Sequence, residues 1–227
     1  EEANIPSNIK IISQYAFSNC SSLVKIDIPE NSELQRIEDS SFYCANFDKI
    51  LIPQYVSIID QRAFYFCMKL QTVEIPENSE FQMIGYNGFC GSGIEKIYIP
   101  QHVSKICDYA FYLCSNLKTV EFAENSELEY IGDRSFSTTK ILKISIPVHV
   151  NHIATSAFYS CRNLQEVEIP VNSEMKIIED CAFAYTKIKK IFVPPHLTKI
   201  DSCTFSFCEN LQIVDIPENS ELQQIDE

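Results

Sequence analysis

Ten cysteines, four histidines and 31 acidic residues are the groups in this 227-residue chain that could hold a metal, relay a proton or act as nucleophiles. Their spacing argues against all three chemistries. His102, His149 and His196 recur every 47 residues, with His152 the only other imidazole. Cys20, Cys67, Cys114, Cys161 and Cys208 recur at the same interval. A catalytic site brings unlike residues to one point: a nucleophile, its base and an electrophilic partner. Here like residues arrive at one fixed interval, which is the signature of a column. No Cys-x-x-Cys occurs, and no nucleophile–base pair or glycine-rich phosphate loop stands out. No enzyme activity, cofactor or metal site is expected.

The columns require a repeating scaffold, and nine phenylalanines mark it. Phe17, Phe42, Phe64, Phe89, Phe111, Phe136, Phe158, Phe183 and Phe205 are separated alternately by 25 and 22 residues. The period is therefore 47, in two unequal halves. Repeats of this length are supersecondary units that bury their apolar faces only by stacking. Each half holds one alternating segment, such as Leu23-Val24-Lys25-Ile26-Asp27-Ile28, which reads as a short strand with one buried side. Proline follows at Pro29, Pro53, Pro76, Pro100, Pro147, Pro170, Pro194 and Pro217, ending the ladder where the chain turns. Roughly 20 residues return the chain to the next strand, which is crossover length, so the strands run parallel. In the return, Ser32-x-x-Gln35, Ser79-x-x-Gln82, Ser126-x-x-Glu129 and Ser220-x-x-Gln223 resemble capping boxes, with Lys176 breaking the pattern in the fourth copy. The Ala-Phe-x-x-Cys-x-x-Leu stretch has the 3-residue spacing of a brief 3-10 or α turn. The expectation is an α/β solenoid of about ten short parallel strands with short helical or 3-10 returns, spanning 1–227 as one domain.

Stacking settles the columns. Strands lie about 4.8 Å apart, so residues two coils apart are separated by roughly 10 Å. That is too far to share a metal or a proton, and too far for a disulfide. The histidines read as exposed turn residues and the five-cysteine column as small core residues. Cys181 and Cys203 differ, because both precede their phenylalanines by two residues in adjacent coils, where a bridge or stacked free thiols are both open. The Glu-Asn-Ser-Glu connectors at 30–33, 77–80, 124–127 and 218–221 supply two carboxylates each, a solvated turn or at best a weak cation site.

The strand skeleton Leu-x-x-Val-x-Ile-Pro and the Ala-Phe-x-x-Cys-x-x-Leu return together resemble the BspA-like leucine-rich repeat family along essentially the whole chain. The Ile-Pro-Glu-Asn-Ser-Glu-Leu-Gln run at 28–35 recurs nearly intact at 216–223. The resemblance implies a curved right-handed solenoid with a concave parallel sheet, in cell-surface or secreted proteins associated with adhesion to host or extracellular-matrix proteins. The sequence starts at a strand remnant, Ala3-Asn4-Ile5-Pro6, and stops at Ile225-Asp226-Glu227 just before the next expected phenylalanine; neither end reads as a cap, and a segment of a longer array is expected.

Partners follow from charge and exposure. A net charge of -13 without a basic block disfavours nucleic acid and anionic lipid. No apolar run approaches the roughly 20 residues of a membrane span. The outward strand positions are Asp27, Leu51, Glu74, Tyr98, Glu121, Ser145, Glu168, Phe192 and Asp215, with Lys49, Lys96, Lys143 and Lys190 two residues earlier on every second strand. Each lysine can lean on an acid of the next strand, which would make the face self-neutralised. Alternatively Tyr98 and Phe192 anchor a protein ligand, flanked by Lys96, Lys143, Lys190, Glu121 and Glu168.

Overall fold

The computed structural model describes residues 1–226 as a stack of coils bearing two parallel ladders. The broader ladder has the strands Glu2–Asn4, Lys25–Asp27, Lys49–Leu51, Thr72–Glu74, Lys96–Ile99, Thr119–Phe122, Lys143–Ser145, Glu166–Glu168, Lys190–Phe192 and Ile213–Asp215. These are the ten strands the alternation predicts. A second, narrower ladder was not expected: ten two-residue strands from Ile11–Ile12 to Gln224–Ile225. Its inward residue is an isoleucine five positions before each repeat phenylalanine, as at Ile106 and Ile131. Two residues are too few to show a period of 2, and the outward partner ranges over Arg36, Met83, Tyr130 and His152.

The 25/22 division of the repeat has a counterpart in the broader ladder. Where successive strands start 23 residues apart, as from Lys49 to Thr72 and from Lys96 to Thr119, pairing is complete in register. Where they start 24 apart, pairing shrinks to the single match Thr72↔Lys96 or is absent. The face is thus built of two-strand blocks. The narrower ladder is continuous from Ile11 through Ile178 and interrupted once, before Lys199–Ile200.

The returns contain no helix, contrary to the expected helical or 3-10 turns, and their hydrogen bonds explain why. Around Phe111, the N–H groups of Tyr109, Phe111 and Leu113 donate to Asp133, Ser135 and Ser137 of the next coil. Those of Ala110, Tyr112 and Cys114 close three-residue turns onto Cys107, Tyr109 and Phe111. A helix needs all its N–H groups directed along one axis, whereas here every second one is spent between coils. The alternation requires left-handed residues two before and two after each phenylalanine, and all eighteen such positions have positive φ, seventeen of them non-glycine. Left-handed backbone costs an L-residue roughly 1–2 kcal/mol, more than the 0.5–1 kcal/mol entropic cost of glycine. Leu113→Gly (φ 59, 39% exposed) should therefore raise stability by up to about 1 kcal/mol despite losing an apolar side chain. A lower urea midpoint would contradict this account of the turns.

The connectors are not capping boxes either. Each serine accepts from the N–H two residues on, as Leu34 to Ser32 at 3.2 Å and Leu128 to Ser126 at 3.3 Å. The amides of Gln35, Gln82 and Glu129 donate instead to Lys10, Ser57 and Ser104 of the preceding coil. Ser32, Ser79, Ser126 and Ser173 are buried, so the connector is a solvated turn around an interior serine.

Inside, the nine phenylalanines form one continuous column of parallel rings. Neighbouring centroids lie 4.9–6.1 Å apart with interplanar angles of 1–11°. The seven interior members are fully buried, while Phe17 and Phe205 at the ends are half-buried. The cysteine column lines this stack. Cys67, Cys114, Cys161 and Cys208 donate their thiols to the carbonyls of Phe42, Phe89, Phe136 and Phe183 at 2.9–3.1 Å. Burial pushes the Cys67 and Cys114 thiols up to about 12 and Cys161 up to about 11, which keeps them protonated. Cys20, in the first coil, is only half-buried.

Candidate functional site

The rigid strands of the broader ladder position all seven residues singled out on that face. The alternation turns Ile97, Ile144 and Ile191 into the core and Lys96, Lys143 and Lys190 outward. Each lysine meets an acid on the next strand of its own block: Lys49–Glu74 at 2.7 Å, Lys96–Glu121 at 2.7 Å, Lys143–Glu168 at 2.6 Å and Lys190–Asp215 at 2.8 Å. Pairs spanning neighbouring strands are the charge ladder that the spacing allows. The hydrogen bond from Lys143, with a second from Ser145, holds the Glu168 carboxyl below its usual range. These side chains remain about half exposed, so each pair contributes little to stability.

The aromatic pair is less exposed than the alternation implies. Tyr98 stands opposite Glu121 and Phe192 opposite Asp215, but both rings are half-buried, and Phe192 packs against the core. Burial, then the charge of Glu77, pushes the Tyr98 hydroxyl up. Tyr98 and Phe192 belong to separate blocks, so the structure does not bring them together.

What the face does form is a cleft. Between Thr119–Phe122 and Lys143–Ser145 the ladder lacks backbone pairing, and a recess of about 790 Å³ opens there and over the turns that follow. Glu121 and Lys143 line it with the half-buried Phe122 and with Leu142, which is 51% exposed. Phe122 and Leu142 were not among the residues singled out. Their positions lie at the strand edges, outside the alternation used to choose the outward set.

The histidines lie outside the strands of this face, although His149 lines the turn end of the cleft. His102, His149 and His196 are exposed, as expected, and each ring nitrogen meets a connector glutamate of the next coil: Glu127, Glu174 and Glu221, at 3.0–3.1 Å. His152 departs from the turn reading, because it belongs to the narrower ladder and is partly buried. It lies 2.7 Å from Glu179, which also accepts from the Thr155 amide at 2.9 Å and hydroxyl at 2.8 Å. Burial pulls the Glu179 carboxyl up, but Thr155 and His152 outweigh it and hold it below its ordinary range. The stability that Glu179 contributes is complete above the unfolded value of about 4.3 and is lost as pH falls through the lower folded value. Glu179→Gln should thus be less stable than the parent near pH 7, with the gap closing below about pH 4.3; urea midpoints across that range test it. Among the described residues, no group of three or more His, Cys, Asp or Glu side chains converges as a metal site would require. Among the described residues, no helix is long and apolar enough to cross a membrane.

The returns carry a second distinctive surface. Eight of the chain's eleven tyrosines lie there: Tyr15, Tyr43, Tyr65, Tyr86, Tyr109, Tyr112, Tyr159 and Tyr185. Tyr43 and Tyr65 stack at 5.2 Å, and Tyr185 stacks on Phe207 at 4.4 Å. This column was missed because its members occupy four different offsets from the phenylalanine and so recur at no single interval.

Comparison with known proteins matches this architecture. Solved neighbours include a leucine-rich repeat protein from Bacteroides ovatus, 24% identical over 99% of this chain and 74% of its own, with a TM-score of 0.54. The leucine-rich repeat protein of T. pallidum is 23% identical over 79% of this chain and 73% of its own, at a TM-score of 0.58. A leucine rich cell surface protein from Faecalibacterium prausnitzii is 23% identical over 95% of this chain and 78% of its own, at 0.48. No curated protein matches the chain in sequence. The profile of the BspA type leucine rich repeat region matches six times, over residues 1–118, 35–165 and 129–227, and with the stacked phenylalanines and paired ladders in place, the chain belongs to that family.

Proposed function

We propose that this solenoid is a non-enzymatic binding module of a cell-surface or secreted protein, and that it takes a protein ligand, such as a host or extracellular-matrix protein, along its broader strand face. The reading treats that face as the inner surface of a right-handed coil. The observation that carries it is the cleft between Thr119–Phe122 and Lys143–Ser145, where exposed Leu142 and half-buried Phe122 are rimmed by Glu121 and Lys143. Apolar side chains inside a charged rim are the anatomy of a binding hot spot. Tyr98, one strand away opposite Glu121, extends the apolar ground, and Phe192 supplies a second anchor farther along. Rigid strands hold these groups at fixed spacing, which lowers the ordering cost of engaging a large partner.

The test is binding of the intact chain to a panel of extracellular-matrix proteins and to whole cells, with Tyr98→Ala/Phe192→Ala as the variant. Affinity should fall at least about tenfold, the size of a modest hot spot. Because Phe192 touches the core, the variant's circular dichroism and urea midpoint must first be matched to the parent's. Charge reversal at Lys96, Lys143 and Lys190 should change on-rate and salt dependence more than off-rate. Unchanged affinity in the aromatic variant would place the ligand elsewhere, with the tyrosine-bearing returns the next surface to mutate. One observation favours a different reading, a spacer without its own ligand: the lysines of the face are already neutralised within the sheet. Failure to capture any partner would support it.

A further inference from the structure

The junction between the coils of Phe183 and Phe205 is the loosest in the column. Its ring centroids are 6.1 Å apart, against 4.9–5.5 Å at every other step. It is also the one step at which the narrower ladder loses its pairing, between Ile177–Ile178 and Lys199–Ile200. Three residues beyond that gap on both coils stands a cysteine, Cys181 on one and Cys203 on the other. Both occupy the left-handed position two before the phenylalanine, at φ 57° and 56°. The Cys181 amide donates to the Ser202 carbonyl at 3.1 Å, which sets the two cysteines side by side on adjacent coils.

We infer that Cys181 and Cys203 are a redox-closable dithiol that staples this junction. Adjacent coils bring equivalent Cα atoms to roughly 5 Å, inside the range a disulfide spans. The oxidant is a small-molecule disulfide of the glutathione class. Cys203, which is exposed, attacks one sulfur of that disulfide as its thiolate, breaking the S–S bond and releasing one thiolate. Cys181 then attacks the Cys203 sulfur of the mixed disulfide and releases the second. Two protein thiols are oxidised, one small disulfide is reduced to two thiols, and the two protons leave with them. The order follows from environment. Cys181 is half-buried, and burial, then the neighbouring Cys203 and Asp180, pushes its thiol up, which suits the resolving role. The core column does not compete: Cys67, Cys114 and Cys161 are buried, donate to carbonyls and stand two coils from one another.

The test treats the full chain with oxidised glutathione, quenches with N-ethylmaleimide under denaturing conditions and counts labels by intact mass. Wild type should lose two labels, with peptide mapping joining Cys181 to Cys203, while Cys181→Ser should stop at a glutathione adduct on Cys203. Amide exchange over 199–215 should slow about tenfold or more in the oxidised form, because the bridge removes the opening of that junction. Retention of all ten labels, a stable adduct on wild-type Cys203, a bridge between other cysteines or unchanged exchange after bridging would each overturn the inference.

Discussion

Phe111→Ala is expected to destabilise the solenoid by roughly 3–5 kcal/mol, the range for truncating a buried aromatic. The ring is fully buried, at the centre of the column, stacked on Phe89 at 5.5 Å and on Phe136 at 5.2 Å. Its removal leaves a void that the parallel rings on either side cannot fill without breaking their own register. A stack held by nearest-neighbour contacts also transmits folding through each step, so the weakened step should partly uncouple the two halves. Urea unfolding followed by circular dichroism should show a lower midpoint and a shallower slope, the mark of lost two-state behaviour. Phe17→Ala is the internal control: half-buried and stacked on one side only, it should cost distinctly less. Equal losses at the two positions would show that the column does not act as a chain of coupled steps.

Ser126→Ala should cost about 1–3 kcal/mol, a large effect for the loss of one hydroxyl. Ser126 is 3% exposed and its oxygen is the acceptor for the Leu128 amide at 3.3 Å. Alanine leaves that buried N–H without a partner, and the penalty is for the orphaned donor more than for the bond itself. Ser220→Ala removes the same contact from a half-buried site, where water can replace it, and should cost less than half as much. Matched losses at the two serines would mean that the hydroxyl acts through the unfolded chain and not through the buried amide.

These two residues also mark what could be read from sequence and what could not. The phenylalanines were legible because a bulky apolar residue at a fixed 25/22 spacing has no other explanation than a common interior. Ser126 was visible only as part of a motif that also begins helices. The same Ser-x-x-Glu spelling serves two structures, and the choice between them is made by the preceding coil, which takes the Glu129 amide before a helix can. The left-handed positions were invisible for a related reason. Nothing about Leu113, Arg134 or Tyr185 announces positive φ, because the stacked hydrogen bonds impose it against local preference. On the candidate face, the lysine–acid pairing was readable from alternation. The cleft beside Leu142 was not, since it arises from a missing ladder step and not from any residue type.

The two ladders divide mechanical work unequally. One side of the coil is a nearly unbroken seam from Ile11 to Ile178, reinforced by the ring column, and resists extension at every step. The other is cut into two-strand plates joined by unpaired or single-match steps every 47 residues. A tube with one inextensible seam and one pleated wall behaves as a bellows with a spine. Its soft mode is to fan the plates apart about the seam, opposed on that wall by only the few backbone bonds that cross these steps, such as Glu95 N–H to Gln71 and Lys140 N–H to Leu117.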